Sequence, residues 1–135
     1  MSRVIEQSVI FKSSPSNLYE LFMDSAKHSD VTGAPADVSR EVGGKWNAHG
    51  GRIGGTNLAL VPGRMIVQAW RSNGWKKIDP DSILVVRFTK VAGGTRVDLA
   101  HVGVPDHDHK GVTKGWKKYY WEAWKKYLAA AKRKA

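Results

Sequence analysis

Between Gly115 and Leu128 the chain reads Gly-Trp-Lys-Lys-Tyr-Tyr-Trp-Glu-Ala-Trp-Lys-Lys-Tyr-Leu, six aromatic side chains interleaved with paired lysines. A segment so rich in large rings has to be covered by another part of the chain. On a wheel of about 100° per residue, Trp116, Tyr120, Ala123, Tyr127, Ala130 and Ala131 fall on one side with Trp124 at its border, while Lys118 and Lys125 point away. This predicts an amphipathic helix with a wide aromatic face. Each Tyr and Trp brings a hydroxyl or indole N–H that needs a partner once buried, so the face suits a semi-polar cavity better than a dry aliphatic core. Ordinary packing against a sheet is the competing explanation for any single ring.

The 135 residues suffice for one domain with a real core and are too few for two, so residues 1–135 are read as a single unit. No stretch approaches the roughly 20 apolar residues that span a bilayer, and Met1 to Gln7 lacks a signal-peptide hydrophobic region, so a cytoplasmic location is expected. Cysteine is absent, which excludes disulfides, a thiol nucleophile and thiolate metal sites. Twenty-two Lys and Arg against twelve Asp and Glu give a formal charge of +10, which favours acidic partners, an anionic membrane surface or non-specific nucleic-acid association without choosing among them. Much of the excess sits at Lys110, Lys114, Lys117, Lys118, Lys125, Lys126, Lys132, Arg133 and Lys134, and a solvated helix back accounts for it as readily as a partner does. No RNA-binding aromatic signature, zinc spacing or helix-turn-helix pattern accompanies the charge, so no specific nucleic-acid partner is expected.

The β-rich run from Arg3 to Lys12 predicts strand one. Ser14 before Pro15 is a helix N-cap followed by proline at the first helical position, and Leu18, Leu21 and Phe22 repeat at helical spacing. A second short helix is expected over Ser25 to Val31. Glycine pairs and turn residues then divide the chain into runs from Asp37 to Glu41, Lys45 to His49, Gly54 to Val61, Arg64 to Arg71, Ser82 to Val91 and Thr95 to Val104. Alternation places Leu84, Val86 and Phe88, and then Val97, Leu99 and His101, on an inner face. A meander with such a face needs a cover, and the aromatic helix is the only element long enough to provide it. The expected class is α+β: a curved antiparallel sheet of six or seven strands around a long C-terminal helix, with two short helices after strand one.

The ordered string Glu41-Val42-Gly43-Gly44-Lys45-Trp46, Gly54-Gly55 and Leu58 to Arg71 resembles the C-terminal domain of the activator of the ninety-kilodalton heat-shock chaperone's ATPase. Gly93-Gly94-Thr95, Leu99 to Pro105, Gly115-Trp116 and Tyr119-Tyr120-Trp121-Glu122 continue the resemblance over essentially the whole chain. It implies the helix-grip fold of the START-like, or Bet v-like, superfamily, with a cavity between helix and sheet that takes hydrophobic molecules, and a link to chaperones and the stress response. In eukaryotic members ATPase stimulation is tied to an additional N-terminal domain, whereas this chain begins at the first strand, so the activator's name is not read as an activity. The loops look trimmed, Arg71 to Lys76 passing quickly into the next strand.

Trp46, Trp70, Trp75, His101, Trp116, Tyr120 and Trp124 are the candidate ligand-binding residues. His101 is the histidine that alternation turns inward, able to orient a ligand or move a proton. The alternative is a histidine satisfied by Tyr120 or Trp116, and no carboxylate is aimed at it. Asp106-His107-Asp108-His109 has the alternation of a metal site but is read as a helix start, with Asp106 or Asp108 as N-cap. Gly50 to Gly55 lacks the context of a phosphate loop and is read as a hairpin with room for a ligand or a helix. No metal, cofactor or catalytic residue is expected. The leading reading is non-catalytic binding of a small hydrophobic or aromatic ligand. The alternatives are a chaperone-linked interaction module with an acidic partner and a polyketide-cyclase-like enzyme.

Overall fold

A computed structural model describes the chain from Arg3 to Lys134; the side chains of Arg133 and Lys134, and so the end of the basic tail, lie outside the described residues. Strand β1 (Ile5–Phe11) leads into helices α1 (Pro15–Met23) and α2 (Ser25–Thr32). Ser14 caps α1, its hydroxyl accepting from the Asn17 amide, with Pro15 at the first position. Asp24 ends α1 and caps α2, and Gly33 closes α2 in the left-handed conformation. Strands β2 (Asp37–Val38), β3 (Lys45–Ala48), β4 (Ile53–Val61), β5 (Met65–Ser72), β6 (Ser82–Val91) and β7 (Gly94–Val102) follow as an antiparallel meander. β1 joins its end beside β7, so one sheet of seven strands runs β1-β7-β6-β5-β4-β3-β2. This is the α+β helix-grip architecture.

Two of the expected strands end early, each for a local reason. The run from Asp37 to Glu41 keeps only two strand residues, because the buried Asn57 amide donates to the carbonyls of Ser39 and Glu41 and bends that segment into a turn. β7 stops at Val102, where Gly103 takes a φ of 85°. β6 starts at Ser82, as expected, and Arg71 holds the loop between β5 and β6 by donating to the carbonyls of Lys76 and Asp79.

The inner faces behave as alternation requires. Leu84, Val86, Phe88, Val97, Leu99 and His101 are all buried. β4 lies so close to β5 that a Cβ on Gly55 would stand 1.9 Å from the Ala69 carbonyl oxygen, which is why a glycine occupies that position.

The C-terminal helix is continuous but not uniform. α3 (Asp106–Gly115) passes through a π-helical turn (Trp116–Trp121) into α4 (Glu122–Lys134), with helical backbone at both junctions. A π turn bonds i to i+5 and takes in an extra residue, which shifts the phase of everything beyond it. The wheel with a constant step therefore misplaces the buried face. Trp116, Tyr120, Trp121 and Trp124 are all buried, Ala123 and Tyr127 only partly, and Ala130 and Ala131 are exposed. Trp121 and Trp124 close on Phe11 at ring separations of 6.1 and 5.4 Å, anchoring this half of the helix to β1.

Candidate functional site: a histidine- and aromatic-lined cavity

A cavity of about 590 Å³ opens between α3, the π turn, the ends of β4 and β5, and the loops after α2 and β3. Its wall includes Trp70, Trp116, Tyr119, Tyr120, His49 and Asp108. Of the seven residues predicted to bind a ligand, Trp70, Trp116 and Tyr120 reach this wall. The other four stand off it. Trp46 is buried under the sheet, its indole donating to the Ala69 carbonyl at 3.2 Å. Trp75 backs Trp70 at 5.6 Å and donates to Asp108 Oδ2 at 2.8 Å. Trp124 packs on Phe11 and Trp121, within the core. His101 lies behind Trp70 and Trp116, with no exposed surface.

The tautomer of His101 follows from its neighbours. Trp116 Nε1–H can only donate, and it reaches His101 Nδ1 at 3.1 Å, so the ring proton is on Nε2. Nε2–H then donates to Ser82 Oγ at 2.8 Å, and the Ser82 hydroxyl donates to the Trp70 carbonyl at 2.7 Å. Burial pushes the imidazole down to about 3, so it is neutral at pH 7 with both nitrogens engaged. Such a ring holds Trp116 in place and has no lone pair left to take a proton from a ligand. Of the two partners foreseen for His101, the structure selects Trp116.

Tyr120 joins a second chain, formed by two histidines for which the sequence analysis had no role. The Phe22 carbonyl, 2.9 Å from His28 Nδ1, can only accept, so His28 carries its proton there. Burial holds His28 down to about 4 and hence neutral, leaving Nε2 to accept the Tyr120 hydroxyl at 3.0 Å. His49 Nε2–H therefore donates to the Tyr120 oxygen at 3.1 Å. Burial, and secondarily the nearby Arg52 charge, lowers the His49 pKa as well, while burial raises that of the Tyr120 phenol. The chain of bonds runs from the core at His28 to the cavity wall at His49. His49 is also the only non-glycine among the described residues with a positive φ, 54°, and Gly50 and Gly51 follow it at 67° and 90°. A tight left-handed turn thus carries the imidazole over Tyr119 and Tyr120, at 5.6 and 5.5 Å.

The Asp-His-Asp-His segment starts α3, as expected, but neither carboxylate caps it. Pro105 is the N-cap and makes no side-chain bond. The segment instead docks neighbouring chain: His107 Nε2 meets Asp79 Oδ2 at 2.8 Å, Asp108 takes the Trp75 indole, and His109 donates to the Arg3 carbonyl. No grouping suited to a metal ion occurs among the described residues.

Tyr119, His49 and Asp108 are wall side chains that the sequence reading did not name as such, whereas Arg52 belongs to the Gly50 to Gly55 segment read as leaving room for a ligand or a helix. Tyr119, three residues after Trp116, had the helical spacing to be found. His49 depends on the conformation of its turn, and Asp108 was absorbed into the helix start.

The fold has close relatives among solved structures. An Hsp90 activator from Plasmodium falciparum superposes with a TM-score of 0.86 over 95% of this chain and 97% of its own, at 23% identity. DynU16, a putative protein in the dynemicin biosynthetic locus, superposes with a TM-score of 0.81 over 97% of this chain and 49% of its own, at 13% identity. At such identities the likeness speaks for the fold. In sequence, the chain is 31% identical over 108 residues to the Activator of 90 kDa heat shock protein ATPase homolog of Dictyostelium discoideum, covering 80% of this chain and 28% of the relative. It is 30% identical over 112 residues to the human Activator of 90 kDa heat shock protein ATPase homolog 1, covering 83% of this chain and 33% of the relative. The chain thus spans a third or less of the length of these relatives. The family model described as Activator of Hsp90 ATPase homolog 1-like protein matches residues 12–129, and the chain belongs to that family.

Proposed function

We propose that residues 1–135 act as one non-catalytic binding domain that holds a small hydrophobic or aromatic molecule in the cavity beneath α3. The observation that carries this reading is the cavity itself. A cleft of about 590 Å³, open on one side to solvent, lies beside buried aromatic rings and falls within the roughly 300–1,000 Å³ typical of small-molecule sites. Trp70, Trp116 and Tyr119 offer flat apolar surface, and burial against them contributes about 25 cal/mol per Å². The His101 and His28 networks support the reading by fixing the orientation of Trp116 and Tyr120 before a ligand arrives, which lowers the entropic cost of binding. Native mass spectrometry of the protein from its source, followed by solvent extraction, tests it. A co-purifying compound at near-stoichiometric amount, lost on Trp116→Ala, is the expected result; a protein that is always empty, and whose Trp116→Ala variant binds aromatic probes unchanged, overturns it.

A second reading is favoured by the sequence relatives, which are named activators of the 90 kDa heat shock protein ATPase. Lys110, Lys114, Lys117, Lys118, Lys125 and Lys126 are exposed along the C-terminal helix, a basic surface suited to an acidic chaperone partner. Binding to Hsp90 that weakens steeply with salt, and on charge reversal at Lys117, Lys118 and Lys125, is the expected signature. Binding indifferent to both excludes this surface. Any effect on ATPase activity belongs to the same proposal.

A further inference from the structure

Resting on the cavity reading above, we propose that the cavity selects molecules whose flat apolar body carries a cationic or N–H-donating group, and that Asp108 receives that group. Asp108 is the one acidic residue on the cavity wall. Its carboxylate is held in place by the Trp75 indole, which donates to Oδ2 at 2.8 Å. The second oxygen, Oδ1, has no hydrogen-bond partner among the described residues. It lies over Gly111, where an added Cβ would stand 3.0 Å from it, so the glycine leaves that side of the carboxylate uncrowded. A fixed, half-buried carboxylate with one free oxygen beside a cavity is an acceptor preset for a donor.

The rings on the same wall act in the same direction. Trp70, Trp116, Tyr119 and Tyr120 all line the cavity, and the face of an aromatic ring carries the negative part of its quadrupole. Cations are attracted over such faces and anions are not. Three features oppose the preference. The first turn of α3 places positive backbone charge near Asp108, and the chain as a whole carries +10. Arg52, the other charged residue of the wall, is exposed, so water and salt screen it and its side chain is free to swing away. The local field of Asp108 and the rings therefore decides the selectivity, against the sign of the net charge.

Isothermal titration calorimetry with three probes of one size, naphthylmethylamine, naphthylmethanol and naphthoic acid, tests the proposal on the full chain. The amine is expected to bind at least about tenfold more tightly than the acid, with the alcohol between them. Asp108→Asn, which retains an acceptor for Trp75, is expected to bring the amine to the affinity of the alcohol and to leave the alcohol unchanged. An acid that binds as tightly as the amine overturns the selectivity while the cavity reading stands. A preference for the amine that survives Asp108→Asn overturns the role of Asp108. If none of the three binds, the cavity reading falls and this inference with it.

Discussion

Replacing Tyr120 by Phe removes one oxygen and leaves the ring, so it isolates the bonds between His28 and His49. Ring packing is preserved: Trp116, Phe22 and His28 remain at centroid separations of 4.7, 5.7 and 5.5 Å. His28 is only 1% exposed, and its Nδ1 is already committed to the Phe22 carbonyl. Without the tyrosine hydroxyl, Nε2 becomes a buried acceptor with no donor and no access to water, a cost of about 1–3 kcal/mol. His49 is only half-buried and can turn to solvent, so the loss there is smaller, about 0.5–1 kcal/mol. The sum is about 1.5–4 kcal/mol, or roughly 6–16 °C in Tm at about 4 °C per kcal/mol for a chain of this size. Urea denaturation followed by tryptophan fluorescence and by circular dichroism measures it, with Tyr119→Phe as the control. Tyr119 is 48% exposed and its hydroxyl makes no hydrogen bond among the described residues, so its variant should stay within about 0.5 kcal/mol of the parent. A Tyr120→Phe variant as stable as the control would refute the assignment of donor and acceptor along this chain.

The two buried neutral histidines make stability depend on pH. Folding lowers His28 to about 4 and His101 to about 3 from an ordinary value of 6.5, so the unfolded chain binds more protons between those limits. Stability is then full above about pH 6.5 and falls as pH drops toward 4, by up to about 2.7 kcal/mol per pH unit while both rings are neutral in the fold and protonated in the unfolded chain. A flat denaturation midpoint between pH 7 and 4.5 would contradict this. Ser82→Ala leaves His101 Nε2–H without an acceptor in a site with no exposed surface, and about 1–3 kcal/mol of stability should be lost in urea titrations. Gly55→Ala drives a Cβ to 1.9 Å from the Ala69 carbonyl oxygen, so β4 has to separate from β5; soluble expression with native-like hydrogen exchange in both strands would count against the close approach. Deleting the exposed Lys118 removes the extra residue of the π turn and lets α3 and α4 run on as one regular α-helix with their buried faces in phase, whereas a residue inserted there adds a further step of about 100°. Calorimetry should show a large loss of Tm for the insertion and a much smaller one for the deletion.

Much of the fold was legible residue by residue. Ser14-Pro15 marked the start of α1 because capping and the fixed φ of proline are local effects, and alternation from Leu84 to His101 named an inner face that the sheet does bury. The helix face was misjudged at Ala130 and Ala131 because one π turn resets the phase, and nothing in a periodic reading announces such a turn. The cavity was legible in part. Trp70, Trp116 and Tyr120 were named from it, whereas Trp46 and Trp124 have the same composition signal and lie elsewhere.

The sequence by itself determined the order of elements, the two-faced sheet and the need for an aromatic helix to cover it, since these follow from hydrophobic period, turn residues and caps acting over a few positions. Only the tertiary structure decided which partners the polar tips find. His28 and Tyr120 are separated by 92 positions, His49 and Tyr120 by 71, and Trp75 and Asp108 by 33. Hydrogen bonds demand a distance and a direction within tight limits, and both are set by how the helix lies on the sheet rather than by spacing along the chain. The same holds for the space left open beneath α3, which is defined by where rings from separate elements stop short of one another.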